Sequence, residues 1–292
     1  MVDAPTVRPN DPLFNDAWAK FDWAFEHAKR LDAEIAGFHK FQSESPGTII
    51  PAGQFHPESN WISVRVARLG PLPRRFPLIL GDILHNYRSA LDAAVWAAVL
   101  RGSARNLQEH QVRLVAFPDV VRMSDLRGSK YRTVRKKFTE YTLPRRAPGI
   151  SRPDAAVLRA AQRFDLAEKA RVTLPLALLT DKNNFDKHKA LELFNRRSAD
   201  FLVTVIEQRD CVVRRIEPRS IGRVLNIGTE LARIHITPTG PNPDVRVQTT
   251  FPHDISIEQV PSLNAFLNSI ERFVFDSLSG FGESPIRADL RI

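Results

Sequence analysis

Near residue 200 the hydrophobic pattern of this chain changes period, and no other feature constrains the fold as much. Before that point apolar residues recur at helical spacing, as in Pro12 to Phe41, where Leu13, Trp18, Phe21, Phe25, Ala28, Leu31, Ile35 and Phe38 share one side. After it come short β-branched runs: FLVTVIE from Phe201, CVVRRIE from Cys211, ELARIHIT from Glu230, VRVQTTF from Val245 and ISIE from Ile255. Turn signals such as Gly240-Pro-Asn-Pro243 part several of them. A last helical stretch, Ser262 to Leu278, carries Leu263, Phe266, Leu267, Ile270, Phe273 and Val274. Helices first and strands later predict an α+β fold: a helical bundle with a small, mainly antiparallel β-sheet in the C-terminal part and a closing C-terminal helix.

The division follows the change in period. Residues 1–196 read as a mainly helical bundle with a short β excursion near 58–69, where Trp61 to Ala67 alternates. Residues 197–292 read as the antiparallel β region plus the terminal helix, and the 292-residue chain is long enough for two domains or one composite domain. Within the first part, helices are expected over Pro77 to Leu100, Tyr131 to Tyr141, Asp154 to Phe164 and Leu174 to Asn195, with Pro144 to Pro153 as linker.

The longest apolar run, Ala90 to Leu100, is interrupted by Asp92 and falls well short of the roughly 20 residues that span a bilayer, so no membrane association is expected. Cys211 is the only cysteine and the N-terminus lacks a basic start followed by an apolar segment. Both point to the cytoplasm.

The helix expected over Pro77 to Leu100 holds a polar stripe. At ~100° per residue, Asp82, His85, Ser89, Asp92 and Trp96 fall within an arc of about 80°, flanked by Asn86 and Arg88. Ile83, Tyr87, Ala90, Leu91, Ala94 and Ala98 take the opposite half. In the helix from Leu174, the residues Asp181, Asn184 and His188 lie one turn apart and form a matching stripe. If the two helices pack, a seam of carboxylates and imidazoles results. His85 and His188 then suit proton transfer, because imidazole titrates near neutrality. Arg88 suits charge stabilisation through its fixed fork of donors, and Asp92 the orientation of either group. Asp82, Asn86, Asp181 and Asn184 read as a structural polar network around these four. No HExxH or CxxC spacing occurs, so no metal and no cofactor are assigned.

The pair HNYRSALD (from His85) and DKHK (from Asp186) resembles a group of uncharacterised bacterial proteins with an HNLRSALDH helix followed by DKHR. The arginine is also similar to that of the R-x4-6-H signature of HEPN-type helical domains. That resemblance implies a helical core, ribonuclease activity without metal, and a homodimer with the motif at its cleft. Arg88 matches the motif arginine, whereas the position after four intervening residues is Ala93 and not histidine.

Charge is concentrated elsewhere. Of the net +9, the stretch Val120 to Arg146 supplies +7, from nine basic residues against Asp125 and Glu140. Tyr131, Val134, Phe138 and Tyr141 form an apolar stripe there, and Lys130, Arg132, Arg135, Lys136 and Lys137 supply a basic face able to contact phosphates. No G-x-S-x-G, G-x-G-x-x-G or P-loop pattern is present. The function expected is RNA or other polyanion binding on a HEPN-like, catalytically degenerate core. Two alternatives stand beside it: a non-enzymatic scaffold whose stripe is a structural network, and a metal-dependent phosphoester hydrolase.

Overall fold

The computed structural model describes residues 11–44, 49–103, 107–119, 135–162, 175–188, 191–197, 202–221, 223–250, 253–257, 260 and 262–282. The architecture is mixed α+β, with a small antiparallel sheet region and a C-terminal helix. Contacts divide the chain into two units, each assembled from separate stretches: Met1–Lys29, Leu78–Leu191 and Ala265–Ile292 make the first, Arg30–Pro77 and Glu192–Asn264 the second.

The helices are α1 (Asn15–Glu44), α2 (Arg75–Ser103), α3 (Glu109–Val112), α4 (Leu143–Arg146), α5 (Arg152–Ala161), α6 (Pro175–His188) and α7 (Leu263–Gly282). A 3-10 turn, Pro12–Phe14, leads into α1, with Asp11 Oδ1 accepting from Leu13 N at 3.1 Å. Ser151 caps α5 in the same way, and a proline follows within its first turn.

In the first unit an aromatic cluster joins three helices: Trp18 and Phe21 of α1 meet Phe275 of α7, and Phe21 meets Tyr87 of α2, at ring separations of 5.4 to 5.9 Å. Phe14 stacks on Phe281 at 5.9 Å. A second fastening is polar. Arg101 at the end of α2 binds Asp11 (3.1 Å), the carboxylate of Asp154 and the carbonyl of Phe281 (2.8 Å), and its guanidinium carbon lies 5.0 Å from the Phe14 ring centre. Asp154 is fully buried and takes a further hydrogen bond from Ser151 Oγ at 2.7 Å. A buried carboxylate held by a guanidinium and a hydroxyl keeps its charge satisfied where an isolated one would be costly.

The second unit contains all eight described strands: β1 (Ile49–His56), β2 (Trp61–Leu69), β3 (Leu193–Arg197), β4 (Leu202–Arg209), β5 (Cys211–Pro218), β6 (Glu230–Pro238), β7 (Asp244–Thr250) and β8 (His253–Ile257). Every described ladder is antiparallel. One sheet has the order β1-β2-β6-β5, while β4 pairs with β7 and β3 with β8. Because β4 also lies beside β5 and β7 beside β1, the neighbour relations of six strands run in a ring. Inside it Ile62, Val64, Val66, Cys211, Leu225, Leu231, Ala232, Ile234, Ile236 and Val245 form one core. Alternation along each strand accounts for this, since every second side chain points inward. The β4–β5 corner is made by Asp210, at φ 53°, whose carbonyl and carboxylate accept from Thr239 N (2.8 Å) and Asn242 N (3.1 Å) of the β6–β7 turn.

Three expectations are corrected. The helix expected over Leu174–Asn195 ends at His188, because Leu193–Arg197 is a strand paired with β8; LELFN suits either state, and a partner strand decides it. The hairpin β1–β2 replaces a lone excursion, with β2 pairing β6, so an early segment shares a sheet with late strands. The linker expected from Pro144 begins as helix α4, with Pro144 in its first turn.

Candidate functional site

Helices α2 and α6 do pack, and they run antiparallel. Gly81 of α2 lies against the Asp186 carboxylate of α6, so close that a Cβ on residue 81 would come within 2.4 to 2.9 Å of it. Seven residues further along α2, Arg88 donates to Thr180 Oγ1 of α6 at 3.2 Å. From α6, Thr180 and Asp186 reach α2; Asp181 is half-buried and Asn184 exposed.

Arg88 is the centre of the arrangement, with only 14% of its side chain exposed. Its Nη2 donates to the carbonyl of Phe117 at 2.8 Å, its Nη1 to Asp119 at 3.3 Å as well as to Thr180, and its Nε lies 3.4 Å from Asp92. Asp92 Oδ1 accepts from Phe117 N at 2.8 Å. Gln162 Nε2 donates to the carbonyl of Pro118 at 2.6 Å. The extended segment 117–119 is thus held at its amide, at two carbonyls and at one carboxylate. A guanidinium has five N–H donors in a rigid plane, and here they meet a carbonyl, a hydroxyl and two carboxylates. Two anionic neighbours already balance the Arg88 charge.

His85 lies apart from this clamp. It is exposed, as is Asp82, whose backbone carbonyl accepts from Asn86 Nδ2 at 2.8 Å. Burial together with the Asp82 charge raises the carboxyl of Asp186 above the usual aspartate range, with His85 opposing the rise. His85, Asp82 and Asp186 therefore form one electrostatic group, and Arg88 and Asp92 another. His188 is the last residue of α6 and its side chain lies outside the described residues. Among the described residues no three His, Cys, Asp or Glu side chains are grouped to hold a metal ion.

Helical spacing does not reveal Asp186, Thr180 or Asp119 as partners of the α2 stripe. Asp186 is five positions from Asp181, off the stripe drawn through Asn184 and His188. The signal for it was Gly81, since a glycine inside a helix costs roughly 1 kcal/mol against alanine and marks a close approach.

In the basic segment, Lys130 and Arg132 lie outside the described residues. Arg135, Lys136 and Lys137 are described, helical and exposed. Among the described residues Lys136 approaches Glu140 at 4.0 Å, an i,i+4 pair in open solvent. Arg145 is exposed, whereas Arg146 is half-buried and donates to the carbonyl of Leu114 at 3.3 Å. The apolar stripe is corrected at its end: Phe138 is buried but Tyr141 is 69% exposed. Residues Phe138–Thr142 form a π turn, with Leu143 N bonded to Phe138 O. The extra residue in that turn rotates Tyr141 off the buried side and leaves its ring in solvent.

Comparison of the chain with protein-family models, with curated proteins and with solved structures finds no match. No described helix is long and apolar enough to cross a membrane.

Proposed function

We propose that this protein binds RNA through the outer face of residues 135–145, on a helical core that is structural and catalytically silent. The observation that carries the reading is the exposure of Arg135, Lys136, Lys137 and Arg145 together with the ring of Tyr141. Cations in open solvent bind a polyanion by releasing its counterions, and an exposed aromatic beside them offers a face for a base. Core aromatics do neither.

The silence of the core is argued from Arg88. In a HEPN-like reading this is the motif arginine, yet the matching histidine position is Ala93 and the guanidinium is committed to Phe117, Asp119, Thr180 and Asp92. A group engaged by two carboxylates, a carbonyl and a hydroxyl of its own fold has little left for a phosphate. The structural-network alternative thus describes the seam, and RNA binding describes the surface. Cytoplasmic placement belongs to the same proposal, with a lone, buried, free cysteine in its support.

Replacing Arg135, Lys136 and Lys137 together by glutamine tests the reading. The expected result is weaker binding to every RNA sequence alike, with the log–log salt slope reduced by about 2. An unchanged affinity and slope would contradict it.

A further inference from the structure

The second unit carries a surface that the proposed function does not use. Inside the strand ring the side chains are aliphatic, but the outer side of β2, β6 and β5 is polar. The register sets Trp61 opposite His235 and His235 opposite Arg215 in one row, then Ser63 opposite Arg233 and Arg233 opposite Glu217 in the next. At the edge of the first row, His56 pairs with Trp61, and its imidazole lies over the indole at 3.8 Å between ring centres with 24° between planes. The Arg233 guanidinium carbon is 4.5 Å from the indole centre.

These planes are held from outside the stack. Glu230 accepts both Nε (3.0 Å) and Nη2 (3.2 Å) of Arg233, a bidentate fork that fixes the guanidinium in orientation. Glu230 also accepts from Ser63 Oγ at 3.4 Å, and Ser63 Oγ accepts from Arg65 Nε at 2.9 Å. Glu217 takes Arg219 at 2.9 Å and His235 at 3.2 Å, with Arg215 at 3.8 Å. Four arginines (Arg65, Arg215, Arg219 and Arg233) meet two glutamates, so the face keeps a positive excess. Arg215 is 68% exposed and, at that distance from Glu217, keeps most of its donors for another acceptor.

We infer that this sheet face is a platform for single-stranded nucleic acid, bases adding to the His56–Trp61–Arg233 ladder and phosphates meeting Arg215 and Arg219. The inference rests on the RNA-binding reading and names the strand state it prefers. Three planar groups are already ordered, so a further plane joins them with little additional loss of side-chain freedom. A paired duplex hides its base faces and has only the arginines to offer contacts to. Charge complementarity commits the surface to a polyanion, and the planar ladder commits it to one with unpaired bases.

The test uses the full chain with four probes: oligouridine of about twelve nucleotides, oligothymidine of the same length, a matched RNA duplex, and inorganic polyphosphate. The expected result is preference for both single strands over the duplex. Trp61→Ala should weaken oligouridine about tenfold while leaving polyphosphate unchanged. The double variant Arg215→Ala/Arg219→Ala, which removes one exposed and one half-buried side chain at the rim of the sheet, should weaken oligouridine and polyphosphate alike, and it carries the test if Trp61→Ala fails to fold. Oligouridine affinity within twofold of the parent in the arginine variant overturns the inference, as does a Trp61→Ala loss that is equal for polyphosphate. If the glutamine variant at 135–137 still loses RNA in those cases, only the platform fails; if no variant loses RNA, the proposed function fails with it.

Discussion

Arg88 illustrates how a residue type suited to chemistry becomes committed to architecture. Its four protein partners sit on α2, α6 and the 117–119 segment, and none of them is a bystander: Asp92 also fixes the Phe117 amide. Truncation leaves the Phe117 carbonyl and the Asp119 carboxylate without this donor and Asp92 with only the Phe117 amide, the carboxylates being 32% and 38% exposed. Arg88→Ala is therefore expected to cost about 2 kcal/mol in urea unfolding. Arg88→Lys should recover little, because an ammonium cannot meet a carbonyl, a hydroxyl and two carboxylates in one plane. RNA affinity of whatever fraction remains folded should match that of the parent. A stable Arg88→Ala protein that had lost RNA binding would reverse the assignment.

At the scale of elements, α7 shows a helix whose seating depends on protonation. It buries Phe266, Ile270, Phe273, Val274 and Phe281, yet Glu271 sits half-buried between them and solvent. Desolvation raises the Glu271 carboxyl above its ordinary value of 4.5, with Lys29 opposing. A raised carboxyl means the folded state holds its proton more tightly than the unfolded state. That contribution is complete below the unfolded value and is lost as pH rises through the folded one. Glu271→Gln should remove this loss, so its stability relative to the parent should increase from pH 4.5 upward in parallel urea titrations. A constant difference across that range would exclude the titration. Elements were legible to different depths. The long amphipathic patterns of α1, α2 and α7, and the alternating runs of β4 to β8, declare themselves because one face must be buried. Strand β3 and the β1 half of the hairpin did not, since LELFN and IIPAGQFH gain their state from a partner strand, the distant β8 for the first and the neighbouring β2 for the second. The π turn at Phe138–Thr142 was likewise invisible, because a 3.6-residue stripe extrapolates through it and puts Tyr141 on the wrong side.

For the molecule as a whole, fold class followed from the change of hydrophobic period, whereas the assembly of each unit from separate stretches did not. Sequence-adjacent patterns report local state; that β2 pairs with β6 is a fact about residues more than 160 positions apart in Ser63 and Glu230, held by a hydrogen bond no local rule contains. The candidate site divided in the same way. Asp82, His85, Arg88 and Asp92 were legible from one helix, but their partners Asp186, Thr180 and Asp119 come from elsewhere and were not. What unites the account is electrostatic. A chain with a net charge of +9 holds its arginines in two manners, some locked to carbonyls and carboxylates as at Arg88 and Arg101, others left in solvent as at Arg135 and Arg215. The first manner builds the fold, and the second is the one proposed to bind RNA. The most direct measurement is the affinity of the unmodified full chain for oligouridine between about 50 and 200 mM salt. With roughly four phosphate contacts it should weaken about fiftyfold across that range, and an affinity that stayed level, or no binding at the lowest salt, would contradict the account.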